Sequence, residues 1–183
     1  MAGQESSFLI RAFDLNRNKR DVGGDEWKVV LSTKRSSKYS IGRIDDLSDG
    51  KYITAVAPII SGPNILHITL NDSPIKGSPF RMDVIHGQAV GASSYVVNEA
   101  NVMRMTAMNE NSFLIQAVDE FGNAAIYCDE QPFTTTLVVE GKDVDSDKTR
   151  VRHVGAGLYD VSVTMLRSGH RNINIRINGS DIK

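Results

Sequence analysis

One cysteine, Cys128, stands in the 183 residues, which excludes an intramolecular disulfide framework and any metal site built from thiolates alone. No apolar run approaches the roughly 20 residues of a membrane span. The first ten residues, MAGQESSFLI, lack the charged and long apolar regions of a signal peptide. Charge of one sign is missing as well. Lys+Arg total 21 against 22 Asp+Glu, so no global field draws the chain to DNA, RNA or an anionic membrane. Residues 1–86 hold 12 basic and 10 acidic side chains and residues 87–183 hold 9 and 12, a difference that fits two solvated faces. The basic loops Arg17, Lys19, Arg20 and Lys34, Arg35, Lys38 have no aromatic residues interleaved with them, which argues against single-stranded nucleic acid. Hydrophobic residues nevertheless make up 40% of the chain, enough for packed cores.

The parts of an enzyme are equally scarce. The four histidines, His67, His86, His153 and His170, show no paired metal-ligand spacing. There is no nucleophile elbow, phosphate loop or dinucleotide fingerprint, and Cys128 reads as an inert buried residue. Asp143, Asp145 and Asp147 have the spacing that opens a calcium loop. The glycine that should follow and the later glutamate are absent, so a solvated hairpin is expected there. No enzymatic activity, cofactor or metal is expected.

What the chain does have is a repeat. Ser7-Phe8-Leu9-Ile10 recurs as Ser112-Phe113-Leu114-Ile115, a shift of 105. Gly50-Lys51-Tyr52 matches Gly157-Leu158-Tyr159, and Ser61-Gly62 through Lys76 matches Ser168-Gly169 through Lys183, both at a shift of 107. A period near 100 residues suits a β-sandwich domain and is too long for a solenoid unit. Apolar residues alternate in short stretches, at 8–14, 27–31, 39–44, 52–56, 65–70 and 80–85 in the first copy. The second copy has them at 113–119, 133–139, 149–154, 159–165 and 173–177. Turn-forming clusters such as Gly23-Gly24-Asp25 and Ser48-Asp49-Gly50 separate them, which is the pattern of half-buried strands. Residues 102–108 (VMRMTAM) also alternate, which predicts that their three methionines face a core. The fold expected is all-β, two tandem immunoglobulin-like sandwiches at 1–86 and 87–183. They are joined by a loosely packed hinge over 87–92 that permits restricted motion in a jointed rod.

The residues that carry a family resemblance are Phe8, Ile10, Ala12 and Asp14, then Asp49, Gly50 and Tyr52, then Ile75, Gly77, Ser78, Pro79 and Phe80. The second copy has Phe113, Ile115, Ala117, Asp119, Gly122, Asn123, Gly157 and Tyr159, with Ala156 in place of the aspartate. Over nearly the whole chain this resembles the filamin-type immunoglobulin repeat. Gly50 supplies a backbone free to take positive φ before the strand, and Tyr52 offers an apolar body with a hydroxyl able to reach a backbone partner. These residues are expected to build the fold. Matched to the family, copy one lacks a first strand and copy two a last strand. Two explanations stand: a segment of a longer array, or another chain that supplies the strands.

The resemblance implies a groove between the third and fourth strands, C and D, where a partner peptide adds as an extra strand. Alternation and the family pattern place Thr134, Thr136 and Val138 with Thr149 and Val151 on that groove in copy two. In copy one they place Lys28, Val30 and Ser32 with Gly42 and Ile44 there. Lys28 makes copy one the more polar. The partners expected are proteins: peptides, neighbouring repeats, and a second copy through exposed edges. Actin would be reached only through a separate domain; nucleic acid and membrane insertion are not expected. Two settings fit, a cytoplasmic, cytoskeleton-associated rod that spaces, cross-links and recruits, and an extracellular adhesion module at the cell surface. A regulatory ligase with an appended filamin repeat would usually carry one copy. The sequons Asn71-Asp72-Ser73, weakened by Pro74, and Asn178-Gly179-Ser180 keep the surface setting open.

Overall fold

Alternating burial sets the strands, and the computed structural model, which describes residues 1–126, 137–170 and 172–182, arranges them in two units, Met1–Ile85 and His86–Lys183. Unit 1 holds β1 (Ser6–Arg11), β2 (Trp27–Thr33), β3 (Ser36–Ile41), β4 (Arg43–Asp46), β5 (Lys51–Val56), β6 (Gly62–Leu70), β7 (Ser73–Pro74) and β8 (Phe80–Val84). One sheet has the order β1-β5-β4 and the other β3-β2-β6-β7, with β8 also on β6. Every described pairing is antiparallel. Val29 and Leu31 of β2 and Leu66 and Ile68 of β6 turn inward to meet Ile10, Tyr52 and Val56. That is the period-two burial expected of strands with one solvated face.

The stretch 39–44, expected as one strand, is two. β3 lies on β2 and β4 lies on β5, in different sheets. The chain changes sheet at Gly42, which is buried and donates its N–H to the Val29 carbonyl at 2.8 Å. A Cβ there would stand 2.9 Å from Val29 Cγ1, so glycine is what lets the crossing pass so close to β2.

Unit 2 holds β9 (Tyr95–Val96), a five-residue helix α1 (Glu99–Met103), β10 (Glu110–Gln116), β11 (Leu137–Glu140), β12 (Arg150–Gly155), β13 (Leu158–Thr164), β14 (Asn174–Ile177) and β15 (Ser180–Asp181). Its sheets run β12-β13-β10-β9 and β11-β14-β15. Phe113, Ile115, Val161, Val163, Ile175 and Ile177 fill its core. The expectation for the three methionines is corrected. A helical turn interrupts the alternation, so Met105 packs on the core while Met103 and Met108 are exposed.

The loose packing expected over 87–92 is also corrected. Gly87 donates its N–H to Asp119 Oδ2 at 2.8 Å, and Val90 N–H binds the Val118 carbonyl at 2.9 Å. Ala89 belongs to the unit 2 core, and Asn178 Nδ2 holds its carbonyl at 2.8 Å. His86, also buried, sets its two ring nitrogens 2.6 Å from the Gly87 carbonyl and 2.9 Å from that of Ile126. Small residues at 87–92 therefore serve close packing rather than loose linkage.

The edges differ between the copies. Among the described residues β1 ends its sheet, whereas its counterpart β10 carries β9. In unit 1, β6 begins at Gly62, and its first half pairs with β8. Its counterpart β14 begins only at Asn174 and pairs with β11 and the two-residue β15.

Candidate functional site

The two C–D regions diverge at the loop after the third strand. In unit 1 that loop returns as β3 and occupies the outer edge of β2, pairing Val30 with Ile41, Leu31 with Ser40 and Ser32 with Tyr39. Lys28, Val30 and Ser32 do lie on the outward face, with Lys28 exposed and the other two half-buried. Gly42 and Ile44 do not join them, since Gly42 is buried beneath Val29 and Ile44 packs against the core. In unit 1 the chain's own β3 runs along the outer edge of β2, so a strand inserted there would have to displace that pairing.

Unit 2 routes the equivalent loop elsewhere. Asp145 donates its N–H to the Thr164 carbonyl at 2.9 Å, Leu166 N–H reaches the Asp143 carbonyl at 2.8 Å, and Val144 bridges Met165. The loop is anchored at the end of β13, and among the described residues β11 carries no strand on its outer edge. Thr134 and Thr136 lie outside the described residues, as do residues 133–136 of the expected strand and Cys128. Val138 is exposed and pairs across to Arg176, on the face opposite to the buried pair Val139 and Ile175. Val151 stands directly across from the fully buried Val161 and yet is 40% exposed, so it lies on the core-side lip of an edge strand. Thr149, half-buried just before β12, donates its hydroxyl to the Asp145 carbonyl at 3.0 Å. Val138 and Val151 therefore belong to different faces, one outward on β11 and one inward on β12.

The electrostatics around these strands is structural. Asp143 faces Arg167 at 4.0 Å and Asp145 faces Lys148 at 3.5 Å, so the two described carboxylates of the calcium-like spacing are ion-paired. Among the described residues no cluster of three or more His, Cys, Asp or Glu could hold a metal ion. No helix among them is long and apolar enough to cross a membrane. Of the two sequons, Asn71 is exposed in a turn, while the Asn178 carboxamide is engaged with Ala89.

The Asp49-Gly50-Lys51-Tyr52 run builds a buried polar node in unit 1. Gly50 takes φ of 73°, and a Cβ on it would stand 2.1 Å from the Arg20 carbonyl oxygen. Tyr52 follows, 1% exposed, donating its hydroxyl to Asp25 Oδ2 at 2.8 Å and accepting the Asp25 N–H at 3.0 Å. Arg20 Nη1 lies 2.5 Å from Asp25 Oδ1. Burial pushes the Tyr52 phenol above its ordinary value, with the Asp25 charge adding to the effect. The hydroxyl's reach to a backbone partner was legible from the motif; the Asp25 carboxylate, 27 residues away, was not.

Comparison with solved structures shows what this architecture is. The chain superposes over 98% of its length on FdeC, an Escherichia coli adhesin, with TM-score 0.59 and 20% identity, covering 57% of that chain. It superposes over 97% on invasin, a bacterial integrin-binding protein, with TM-score 0.56 and 11% identity, covering 34% of that chain. The fold is a tandem of immunoglobulin-like domains. In sequence, 86 residues are 34% identical to the flagellar outer arm dynein alpha chain of Chlamydomonas reinhardtii. A stretch of 89 residues is 27% identical to the E3 ubiquitin-protein ligase TRIM71 of Rattus norvegicus. These matches take in 44% and 49% of this chain, and only 2% and 10% of the two relatives. No family model matches.

Proposed function

We propose that the chain is a non-enzymatic pair of filamin-type interaction modules and that unit 2 takes an extended apolar peptide on the outer edge of β11, against β12. The observation that carries this is the contrast between the copies. The outer edge of β2 is covered by β3, while the equivalent loop of unit 2 is tied to β13 and leaves the outer edge of β11 without a strand among the described residues. An uncovered edge offers backbone donors and acceptors to an incoming strand, and Val151 on the lip of β12 offers it an apolar contact. The family pattern assigns Thr134, Thr136, Val138 and Thr149 to the same groove, with Val138 facing outward on β11.

The adhesin and integrin-binding neighbours support an adhesion module at a cell surface. The dynein and ligase matches favour a second setting. Each spans about one module of a far longer chain, which supports a filamin-type unit carried inside a larger protein.

The test is titration of the isotope-labelled chain with synthetic β-prone apolar peptides, followed by amide shifts. Saturable shifts confined to β11 and β12, abolished by Val151→Asp without unfolding, are expected, because an unpaired charge desolvated under a bound strand is strongly unfavourable. If no peptide moves those amides, or Val151→Asp unfolds unit 2, the assignment fails.

A further inference from the structure

A second and independent edge lies on the other sheet of unit 1, and the repeat itself shows what fits it. Ser7-Phe8-Leu9-Ile10 of β1 and Ser112-Phe113-Leu114-Ile115 of β10 are the same tetrapeptide. In unit 2 the preceding segment dresses the outer edge of that tetrapeptide and the residues just after it. β9 pairs Val96 with Ile115 and Tyr95 with Gln116. Val97 N–H donates to the Leu114 carbonyl at 2.8 Å, Asn98 Oδ1 accepts the Leu114 N–H at 2.8 Å, and Asn101 Nδ2 donates to the Ser112 carbonyl at 3.1 Å. Further along, Ser94 Oγ accepts the Val118 N–H at 3.1 Å, Val90 N–H reaches the Val118 carbonyl, and Gly87 N–H reaches Asp119 Oδ2.

At a shift of 105 the equivalent groups of unit 1 are those of Ser7, Leu9, Arg11, Phe13 and Asp14. They are bare. β1 is the last strand of its sheet; Leu9 is 52% exposed and Phe13 51%, where Val118 is 6%. The local turn is already built in the same form. Asp14 accepts the Asn16 and Asn18 N–H groups and Asn18 Nδ2. Asp119 does likewise with Phe121 and Asn123 and adds the fourth bond, from Gly87. Phe13, Asp14, Leu15, Asn16 and Arg20 line a shallow open depression at this end of the edge.

We propose that the outer edge of β1, from Ser7 to Asp14, is a docking site for an extended peptide with the chemistry of residues 87–101. That chemistry is a glycine N–H for the aspartate, a serine hydroxyl, two apolar strand residues, and an asparagine carboxamide that caps the Leu9 amide. Burial of Leu9 and Phe13 beneath such a strand supplies the apolar contribution, and the open backbone groups set its register.

The experiment titrates the isotope-labelled full chain with a synthetic peptide of residues 86–101. Saturable shifts and slowed exchange at the Leu9, Arg11 and Phe13 amides are expected. A peptide with alanine in place of Asn98 should bind about three- to tenfold more weakly, having lost a charge-free, part-buried hydrogen bond to Leu9. Leu9→Pro in the chain, which removes an N–H pointing away from β5, should abolish binding while leaving the thermal midpoint near that of the parent. Absence of shifts on β1 at saturating peptide, or shifts confined to unit 2, overturns the proposal. Dimers that form through β1 without peptide would make a second copy the occupant and overturn it as well. The readout falls on β1, so it fails or succeeds separately from the β11 edge.

Discussion

The Gly42 amide hydrogen-bonds to the Val29 carbonyl at 2.8 Å, and the missing side chain at Gly42 is the space into which Val29 packs. This single contact fixes where the chain leaves one sheet of unit 1 for the other. A substitution must move Val29 Cγ1, 2.9 Å from the would-be Cβ, and Val56 Cγ1, 3.2 Å from it. Gly42→Val is expected to destabilise unit 1 by about 1–3 kcal/mol, as overpacking does. Chemical denaturation of the parent and variant measures it; an unchanged midpoint would show that the crossing is not held by this contact.

Tyr52 ties its strand to Asp25 through both the backbone and the carboxylate. Tyr52→Phe keeps the apolar body against Trp27, whose ring centroid lies 5.5 Å away, and removes only the hydroxyl. Loss of a hydrogen bond to a buried carboxylate should cost about 1.5–3 kcal/mol in thermal or denaturant unfolding. A loss below about 0.5 kcal/mol would mean that Arg20 alone satisfies Asp25.

The same phenol gives an alkaline signature. Its folded value lies above the ordinary 10.0, so its contribution to stability is complete below 10.0 and is lost as pH rises through the folded value. Melting followed from neutral to strongly alkaline pH should fall more steeply for the parent than for Tyr52→Phe. Parallel curves would remove Tyr52 as the cause.

At acid pH the sign reverses. Asp14 is held below the ordinary 3.8 chiefly by the Asn18 side chain, then by backbone N–H groups, and Asp49 is held below it chiefly by its hydrogen bond to Lys51. Their contribution is present above 3.8 and is lost as pH falls through the lower folded values. Both carboxylates are exposed, so the effect is screened by salt. Asp14→Asn should flatten the acid limb of the stability curve, and the effect should shrink in high salt.

The segment 87–92 should behave as part of unit 2. A Cβ at Gly91 would stand 2.0 Å from the Ser180 carbonyl oxygen, so Gly91→Ala is expected to lower the stability of unit 2. In hydrogen exchange the Gly87, Val90 and Ser94 amides should be protected along with the β10 core. Rapid exchange at all three would restore the hinge.

Alternation in 27–31, 52–56 and 65–70 disclosed the strands and their buried faces, because period-two burial is written into each strand locally. The repeat disclosed two modules, and the Asp-Gly-x-Tyr run disclosed the turn into β5. Tertiary structure alone decided what each edge meets. Residues 36–41 pair with β2 while their counterparts in unit 2 fasten to β13, and nothing in either stretch states which partner wins, since edge pairing depends on groups far away in sequence. The same holds for Val151, whose parity marks a face while only its place on an edge strand leaves it 40% exposed across from a buried valine. Identical tetrapeptides at Ser7–Ile10 and Ser112–Ile115 end in different environments, one at a sheet edge with no outer strand among the described residues and one dressed by residues 87–101. A sequence specifies the strand; what covers its open backbone groups is settled only where distant segments compete for them.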